Sequence, residues 1–482
     1  MRRRLLRVDS LTGDWVVFAP GRRHRPKQTS SPASALAPSS RAQTTVPKSF
    51  CSLKSSHSHH IAFILKRFCW KENSFEKNAL SSKKFKTSNA PRRLDSCPFC
   101  PGNEHMTPPP LLQIPDGLDI TGNKPHEPQQ TQEEKETEST WKLRVVENKY
   151  PAVVPITTIE ASTAAALAVQ KAGVGLHTEL QDEFQIEAVG HHEVVIESPN
   201  HNEVLALSSL SAIEDLLTAW RARGQELAAD PWIHHIIYFK NCGPGSGASL
   251  VHPHSQIVAL PIVPQQVESH QQRARDYYTS RGHSVFHGMI QEGLIAKLTL
   301  HDQQRIEDEM ELGDSFSLPS QDCNASTVLD LANRNGSSSS SSISSRLVDL
   351  TDSFIAFIPF AAISPFFIRI VPRFESATFH SGLTDEYIPE LACILKRCLQ
   401  RLHVELDEPD FNLVVRSAPL PNRGSQCAFN SEATFRWHIT INPRLGAGAM
   451  AGFEFGSGIF SNANLPEDDA AILRNVDLGT IA

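Results

Sequence analysis

The sequence predicts an α+β fold made of a duplicated unit, with antiparallel sheets and flanking helices, and three observations carry that expectation. First, eight runs rich in β-branched and aromatic residues read as strands: Leu143 to Val146, Glu193 to Glu197, His234 to Phe239, Gln256 to Leu260, Ser353 to Ile358, Phe366 to Val371, Asn412 to Val415 and Trp437 to Ile441. Second, helical spacing of apolar residues runs through Ser209 to Leu227, Gln265 to Ser280 and Thr384 to Leu402. Strands and helices do not alternate strictly, which disfavours a doubly wound parallel sheet. Third, the order of features recurs. A strand ending near Ser198-Pro199, a helix, a strand and HPHSQIVALP are followed later by a strand ending at Val371-Pro372, a helix, a strand and Arg436-Trp437-His438-Ile439-Thr440.

The duplication divides the chain into an N-terminal half, 1–265, and a C-terminal half, 266–482. The opening stretch MRRRLLRVDSLTGDWVVFAP is basic, yet its apolar residues alternate, so it reads as the first strand rather than a targeting segment. Two stretches look foreign to a packed core. Residues 28–95 mix Ser, Lys and His without a sustained period, as a lineage-specific insertion or a translated intron would, and 302–348 contains an almost pure serine tract. Both are expected to be poorly ordered, and 116–140, rich in Gln, Glu, Thr and Pro, to be a solvated loop.

At 482 residues with 40% hydrophobic content the chain can bury at least one sizeable core. A net charge of -7 leaves no basic excess for a nucleic-acid backbone, so small phosphorylated ligands remain as anionic partners. No apolar run approaches the roughly 18 to 20 residues that span a bilayer, and no membrane partner is expected. Nine cysteines in so long a chain do not form a disulfide framework. The expected compartment is the cytosol.

The segment His252-Pro253-His254-Ser255-Gln256 precedes the apolar run Ile257 to Leu260. In extended backbone, residues i and i+2 share a face at roughly 7 Å spacing, so both imidazoles and the Gln256 amide point into one site. Ahead of them, Asn241-Cys242-Gly243-Pro244-Gly245-Ser246-Gly247-Ala248-Ser249 is a glycine-rich turn that brings backbone amides close to an anion. A neutral imidazole attacks an activated phosphorus through its free nitrogen, and the phosphoramidate formed is attacked in turn by a second acceptor. Surface or metal-binding histidines on an ordinary strand are the alternative. Cys97 and Cys100 have zinc-knuckle spacing and want two further ligands, for which His201 and His252 are candidates; a redox pair or plain burial is the other reading. Arg22 and Arg25 follow the first strand and suit a grip on phosphates, or form a solvated charge run.

Taken together, DSLTGDWVVFAPGRRHRPKQ, SCPFCPGNEHMTPP, VVENKYPAV, HHEVVIESPNHNE, NCGPGSGASLVHPHSQIVALPIVP and AGFEFGSGIFSNANLPEDDAAILR are highly specific motifs. In them the chain resembles the galactose-1-phosphate uridylyltransferases and the related plant ADP-glucose phosphorylases of the histidine-triad superfamily. The resemblance implies histidine-triad-like units, with the nucleophile on His254, a phosphate-contacting glutamine at Gln256, phosphate-turn residues Asn241, Gly247 and Ser249, arginines Arg22 and Arg25 near the phosphates, and Asn148 near the nucleotide. It places a structural Zn2+ on Cys97, Cys100, His201 and His252. The reaction it implies passes UMP from UDP-glucose through His254 to galactose 1-phosphate in a homodimer. ADP-glucose phosphorolysis and a histidine-triad nucleotide hydrolase are the rival functions. Where some relatives place a second metal, this chain has Ser284, His287, Phe374-Glu375 and Arg436, a poor tetrahedral set, so no tight second site is expected.

Overall fold

Alternating β-branched residues fix the strands, and their register builds a ten-stranded sheet. The computed structural model describes residues 5–10, 12–18, 86–115, 140–155, 188–290, 343–420, 431–445 and 452–479. In chain order the strands are β1 (Leu5–Val8), β2 (Trp15–Phe18), β3 (Pro110–Pro115), β4 (Trp141–Glu147), β5 (His191–Ile196), β6 (His235–Cys242) and β7 (His254–Leu260). They continue as β8 (Leu347–Leu350), β9 (Phe354–Phe357), β10 (Ile368–Pro372), β11 (Phe411–Arg416), β12 (His438–Pro443) and β13 (Phe460–Asn462). The longer helices are α1 (Leu210–Ala229), α2 (Gln265–Arg281), α3 (Ile388–Leu406) and α4 (Pro466–Arg474).

The large sheet has the order β3-β4-β5-β7-β6-β11-β12-β10-β9-β8, all its paired neighbours antiparallel. Read inward from either edge, each set of five has three strands in sequence order, then its fifth, then its fourth. The two sets join where β6 pairs with β11, Asn241 opposite Asn412 and Phe239 opposite Val414. α1 and α3 cover one face, and Ile213, Leu217, Trp220, Leu395 and Leu399 share the main core with Val145, Val195, Tyr238, Ile257, Leu413 and Ile439. Gly224 allows this approach on α1: a Cβ there would lie 1.9 Å from the Tyr238 hydroxyl. Buried Arg223 of the same helix grips Glu193 of β5 through two contacts of 2.6 and 2.9 Å, so helix and sheet are also tied by charge.

The basic opening forms two strands rather than one. Asp9 accounts for the turn between them, accepting the Thr12 N–H on Oδ1 and the Gly13 N–H on its carbonyl. β2 then pairs antiparallel with β1 and parallel with β13, the one parallel pairing among the named strands. Residues 86–95, within the stretch expected to be poorly ordered, are anchored instead: Ser88 Oγ donates to Glu408, Lys86 pairs with Asp407 and Arg92 with Asn200. Likewise 343–348 folds, as a helical turn entering β8, which pairs with β9. The remainder of those stretches, 28–85 and 302–342, and the polar loop 116–139 lie outside the described residues. No helix among the described residues is long and apolar enough to cross a membrane.

Candidate active site and metal cluster

β7 begins at His254, and its pairing sets the site. Val194 and Phe239 flank Gln256 on either side, so Gln256, with His254 two residues before it, lies on the face of the sheet opposite α1. Ser255 points the other way, where its hydroxyl accepts the Trp220 indole N–H at 3.0 Å in the core. That anchor holds the strand's register and therefore the direction of both His254 and Gln256.

His254 Nδ1 lies 2.8 Å from the His252 carbonyl, which can only accept, so Nδ1 carries the proton and Nε2 keeps its lone pair. Burial lowers the pKa of this imidazole against the opposing effect of that backbone bond, and it is uncharged near neutrality. Beneath it, on the helix side, Lys240 donates to Glu197 at 2.7 Å and to the His254 carbonyl at 3.3 Å, a buried ion pair that pins the main chain of the nucleophile candidate.

Gln256 is oriented by a residue that the sequence did not single out. His192 Nδ1 accepts the Ala152 N–H at 3.0 Å, which puts its proton on Nε2, and Nε2 donates to Gln256 Oε1 at 2.7 Å. The Gln256 amide group is thereby left as a donor for a ligand. Asn148 lies 3.0 Å from the same His192 nitrogen, which places it beside Gln256. Asn241 is on the same face but engaged, accepting from Asn412 of β11 at 2.8 Å. Gly247 and Ser249 sit exposed in the turn that follows β6. In that turn Gly245 N–H donates to Asp410 at 2.6 Å, so a carboxylate from the second strand set already holds part of the glycine-rich segment. Arg22 and Arg25 lie outside the described residues.

Cys97, Cys100, His201 and His252 come together, their ligand atoms all within 4.8 Å of one another. Sulfur-to-nitrogen separations of 3.5, 3.6 and 3.7 Å match the roughly 3.6 Å that a tetrahedral zinc with ordinary Zn–S and Zn–N bonds imposes. His252 Nε2 donates to the Ser198 carbonyl at 2.8 Å, turning Nδ1 toward the sulfurs. Burial pushes the Cys97 thiol up to about 11 and the His252 imidazole down to about 3. Without a cation the group is a set of neutral donors, and binding a dication would expel thiol protons. Phe99, between the two cysteines, sets its ring 5.9 Å from that of His252 and 5.5 Å from that of His254, so the cysteine loop packs directly on the candidate nucleophile. This four-residue group can hold a metal ion.

The sequence model described as "Galactose-1-phosphate uridyl transferase, N-terminal domain" matches residues 125–264. A Galactose-1-phosphate uridylyltransferase of Thermotoga maritima is 26% identical over 61% of this chain and 76% of its own length. An ADP-glucose phosphorylase of Arabidopsis thaliana is 30% identical, over 80% of this chain and 82% of the relative. The chain belongs to the galactose-1-phosphate uridylyltransferase family. It is a nucleotidyltransferase. The family fold is confirmed by the crystal structure of the Arabidopsis thaliana ADP-glucose phosphorylase with bound ADP-glucose, at a TM-score of 0.59 and 24% identity over 99% of this chain and all of that one. A uridylyltransferase structure matches at a TM-score of 0.51 and 22% identity, over 80% of this chain and 93% of that one.

In the second strand set His438 occupies the place of His254, at the start of its strand, and its Nδ1 lies 3.0 Å from the Arg436 carbonyl. Arg436 stands where His252 stands in the first set. Its guanidinium donates to the Pro372 and Arg373 carbonyls and lies 3.8 Å from Glu375, so a positive charge fills the position that His252 takes in the four-residue cluster.

Proposed function

We propose that the protein is a UDP-glucose:hexose-1-phosphate uridylyltransferase that carries UMP on His254 Nε2 between the two half-reactions. The observation that supports this most strongly is the 2.8 Å contact from His254 Nδ1 to the His252 carbonyl. It leaves Nε2 free to attack the α-phosphorus of UDP-glucose, forming the N–P bond as the bond to glucose 1-phosphate breaks. The ring then becomes a cation, and the same carbonyl, at the negative end of its dipole, stabilises it through Nδ1–H. Galactose 1-phosphate attacks next, its phosphate oxygen displacing Nε2 and restoring the neutral imidazole. Gln256 donates to the phosphoryl oxygens, and Arg22, Arg25, Ser249 and the amide of Gly247 add positive potential around them, with Asn148 beside the nucleoside.

Zn2+ fits the Cys97, Cys100, His201 and His252 cluster by distance and donor type. When bound it supplies a structural cross-link with all four positions filled by protein, and His252 in that position presents its carbonyl to His254. One zinc per chain by elemental analysis is expected, with Cys97→Ser losing it; two tightly held zincs would contradict the assignment. The enzyme acts as a cytoplasmic homodimer in this reading. A second reading, ADP-glucose phosphorolysis with inorganic phosphate as acceptor, uses the same His254 step and is favoured by the 30% identity to ADP-glucose phosphorylase.

The test is incubation with UDP-glucose or ADP-glucose labelled in the α-phosphate, followed by isolation of the protein. An acid-labile, base-stable label is expected from UDP-glucose, discharged by galactose 1-phosphate, and absent in His254→Ala. Label only from ADP-glucose, discharged by phosphate, selects the second reading; label retained in His254→Ala defeats both.

A further inference from the structure

The second strand set has its own cavity, of about 140 Å3, on the same face of the sheet as His254 and Gln256. Register makes the correspondence explicit. Gln256 lies between Val194 and Phe239, and Thr440, two residues after His438, lies between Arg369 and Val414. Arg416, opposite His438, falls where continuing the β6–β7 register places Asn241 opposite His254. The second set has therefore put two arginines where the first has a valine and an asparagine.

The described residues do not satisfy those arginines. Arg369 is 3% exposed, and among the described residues its Nε and Nη1 have no hydrogen-bond partner, its one ion pair there being to Asp9 at 3.4 Å. The Arg416 guanidinium makes no hydrogen bond or ion pair with the described residues and lines the same cavity. Burial lowers the pKa of Arg416, and the repulsion from Arg369 outweighs the attraction of Asp14. The rings of His438 and His270, also lining the cavity, are driven down by burial and by both arginines. The Asp9 and Asp14 carboxylates face the two guanidiniums across the cavity, but Arg369 donors left without acceptors among the described residues in a buried place cost free energy unless a ligand supplies acceptors.

We propose that this cavity is a second oxyanion site that takes inorganic phosphate in a protonated form. Its volume accommodates one tetrahedral ion with water and falls below the roughly 300 Å3 and more of pockets for drug-sized ligands, which excludes a second nucleotide sugar. The guanidiniums of Arg369 and Arg416 donate to the unprotonated oxygens. His438 spends its Nδ1 proton on the Arg436 carbonyl, so its Nε2 is an acceptor, and the Asp14 carboxylate is another. Both require a ligand that carries P–OH groups. Near neutral pH inorganic phosphate offers one such group as hydrogen phosphate and two as dihydrogen phosphate, while sulfate offers none, so the same residues that bind an oxyanion select phosphate. The inference is independent of the nucleotidyl-transfer reading, because the cavity and its donors belong to the other strand set.

Equilibrium dialysis of the full-length protein against labelled inorganic phosphate, with sulfate as competitor, tests it. A site is expected that survives in the His254→Ala, Gln256→Ala double variant, weakens by about tenfold or more in Arg416→Met, is largely kept in Arg416→Lys, and prefers phosphate over sulfate by at least about tenfold, the scale of one charge-assisted hydrogen bond. If Arg416→Met does not fold, Thr440→Val and the lysine variant carry the comparison. Phosphate binding that vanishes in the double variant, is unchanged in Arg416→Met, or is matched by sulfate would overturn the proposal.

Discussion

His254 and His438 illustrate how little backbone change separates two environments. Both begin a strand, and both give Nδ1 to the carbonyl two residues earlier, at 2.8 and 3.0 Å. What differs is the charge nearby: the mutually paired Lys240 and Glu197 beside the first, Arg369 and Arg416 beside the second. A third histidine gives a measurable consequence. His235 at the start of β6 is 3% exposed, its Nδ1 has no hydrogen-bond partner among the described residues, and burial, aided by Arg416, lowers its pKa to about 4. An imidazole whose folded-state pKa lies below its unfolded value of about 6.5 binds a proton preferentially in the unfolded chain. Its contribution to stability is therefore intact above pH 6.5 and is lost as pH falls toward 4. Between pH 7 and pH 5 this one group should cost about 2 kcal/mol of unfolding free energy. Urea denaturation at the two pH values should show His235→Leu losing less stability on acidification than the parent by about that amount. Equal losses would mean that His235 is already protonated in the folded chain, or hydrated.

At the scale of the element, the glycine-rich turn after β6 is shaped by the second strand set as much as by its own glycines. Gly243 has φ 79° and ψ 160°, and a Cβ on it would lie 1.9 Å from Asp410 Oδ1. Gly247 has φ 88° but nothing within 4 Å of its Cβ position. Gly243→Ala should therefore destabilise by about 2 kcal/mol or more, strain plus collision, and Gly247→Ala by about 1, strain alone. Thermal denaturation of the pair should rank them in that order; equal midpoints would show that Asp410 moves aside without cost. The reason this turn was only half legible lies here. Its glycines and the His-Pro-His start of β7 are local signals, so backbone freedom and two aligned imidazoles could be read directly. Asp410 and Asn412 act on it from about 170 positions away through the β6–β11 pairing, and no periodicity reports a partner strand. His192 was hidden for the same reason, its function arising from register against Gln256. Among the strands, β3 went unread because Pro110 and Pro115 bound it; as an edge strand paired only with β4, it tolerates them. α3 begins at Ile388 instead of Thr384, since Pro389 favours the first helical turn and Thr384 to Tyr387 forms a separate turn.

For the whole molecule, the decisive junction is the seam between β6 and β11. The two sets of five strands meet there in register over five residue pairs, and Asn412 bridges it by donating to Asn241 and to the Ser246 carbonyl. The seam also continues the core without a break: Tyr238, Leu413, Trp437 and Phe379 belong to one cluster with α1 and α3. Cutting the chain at residue 265 would expose the edge of β6, with its unpaired amides and carbonyls, and the apolar face of α1 where it meets α3. The N-terminal half carries His254, Gln256 and the metal cluster, so it holds every residue assigned to chemistry. It should nevertheless fail as an independent unit. Residues 1–265 expressed alone are expected to aggregate or to elute far above monomer size, and to take up no nucleotidyl label, whereas the same half mixed with 266–482 during refolding should regain label if the seam can be rebuilt in trans. A soluble, monomeric and labelled N-terminal half would show that the site depends on its own strand set alone, and that Asp410 and Asn412 merely trim a turn already formed.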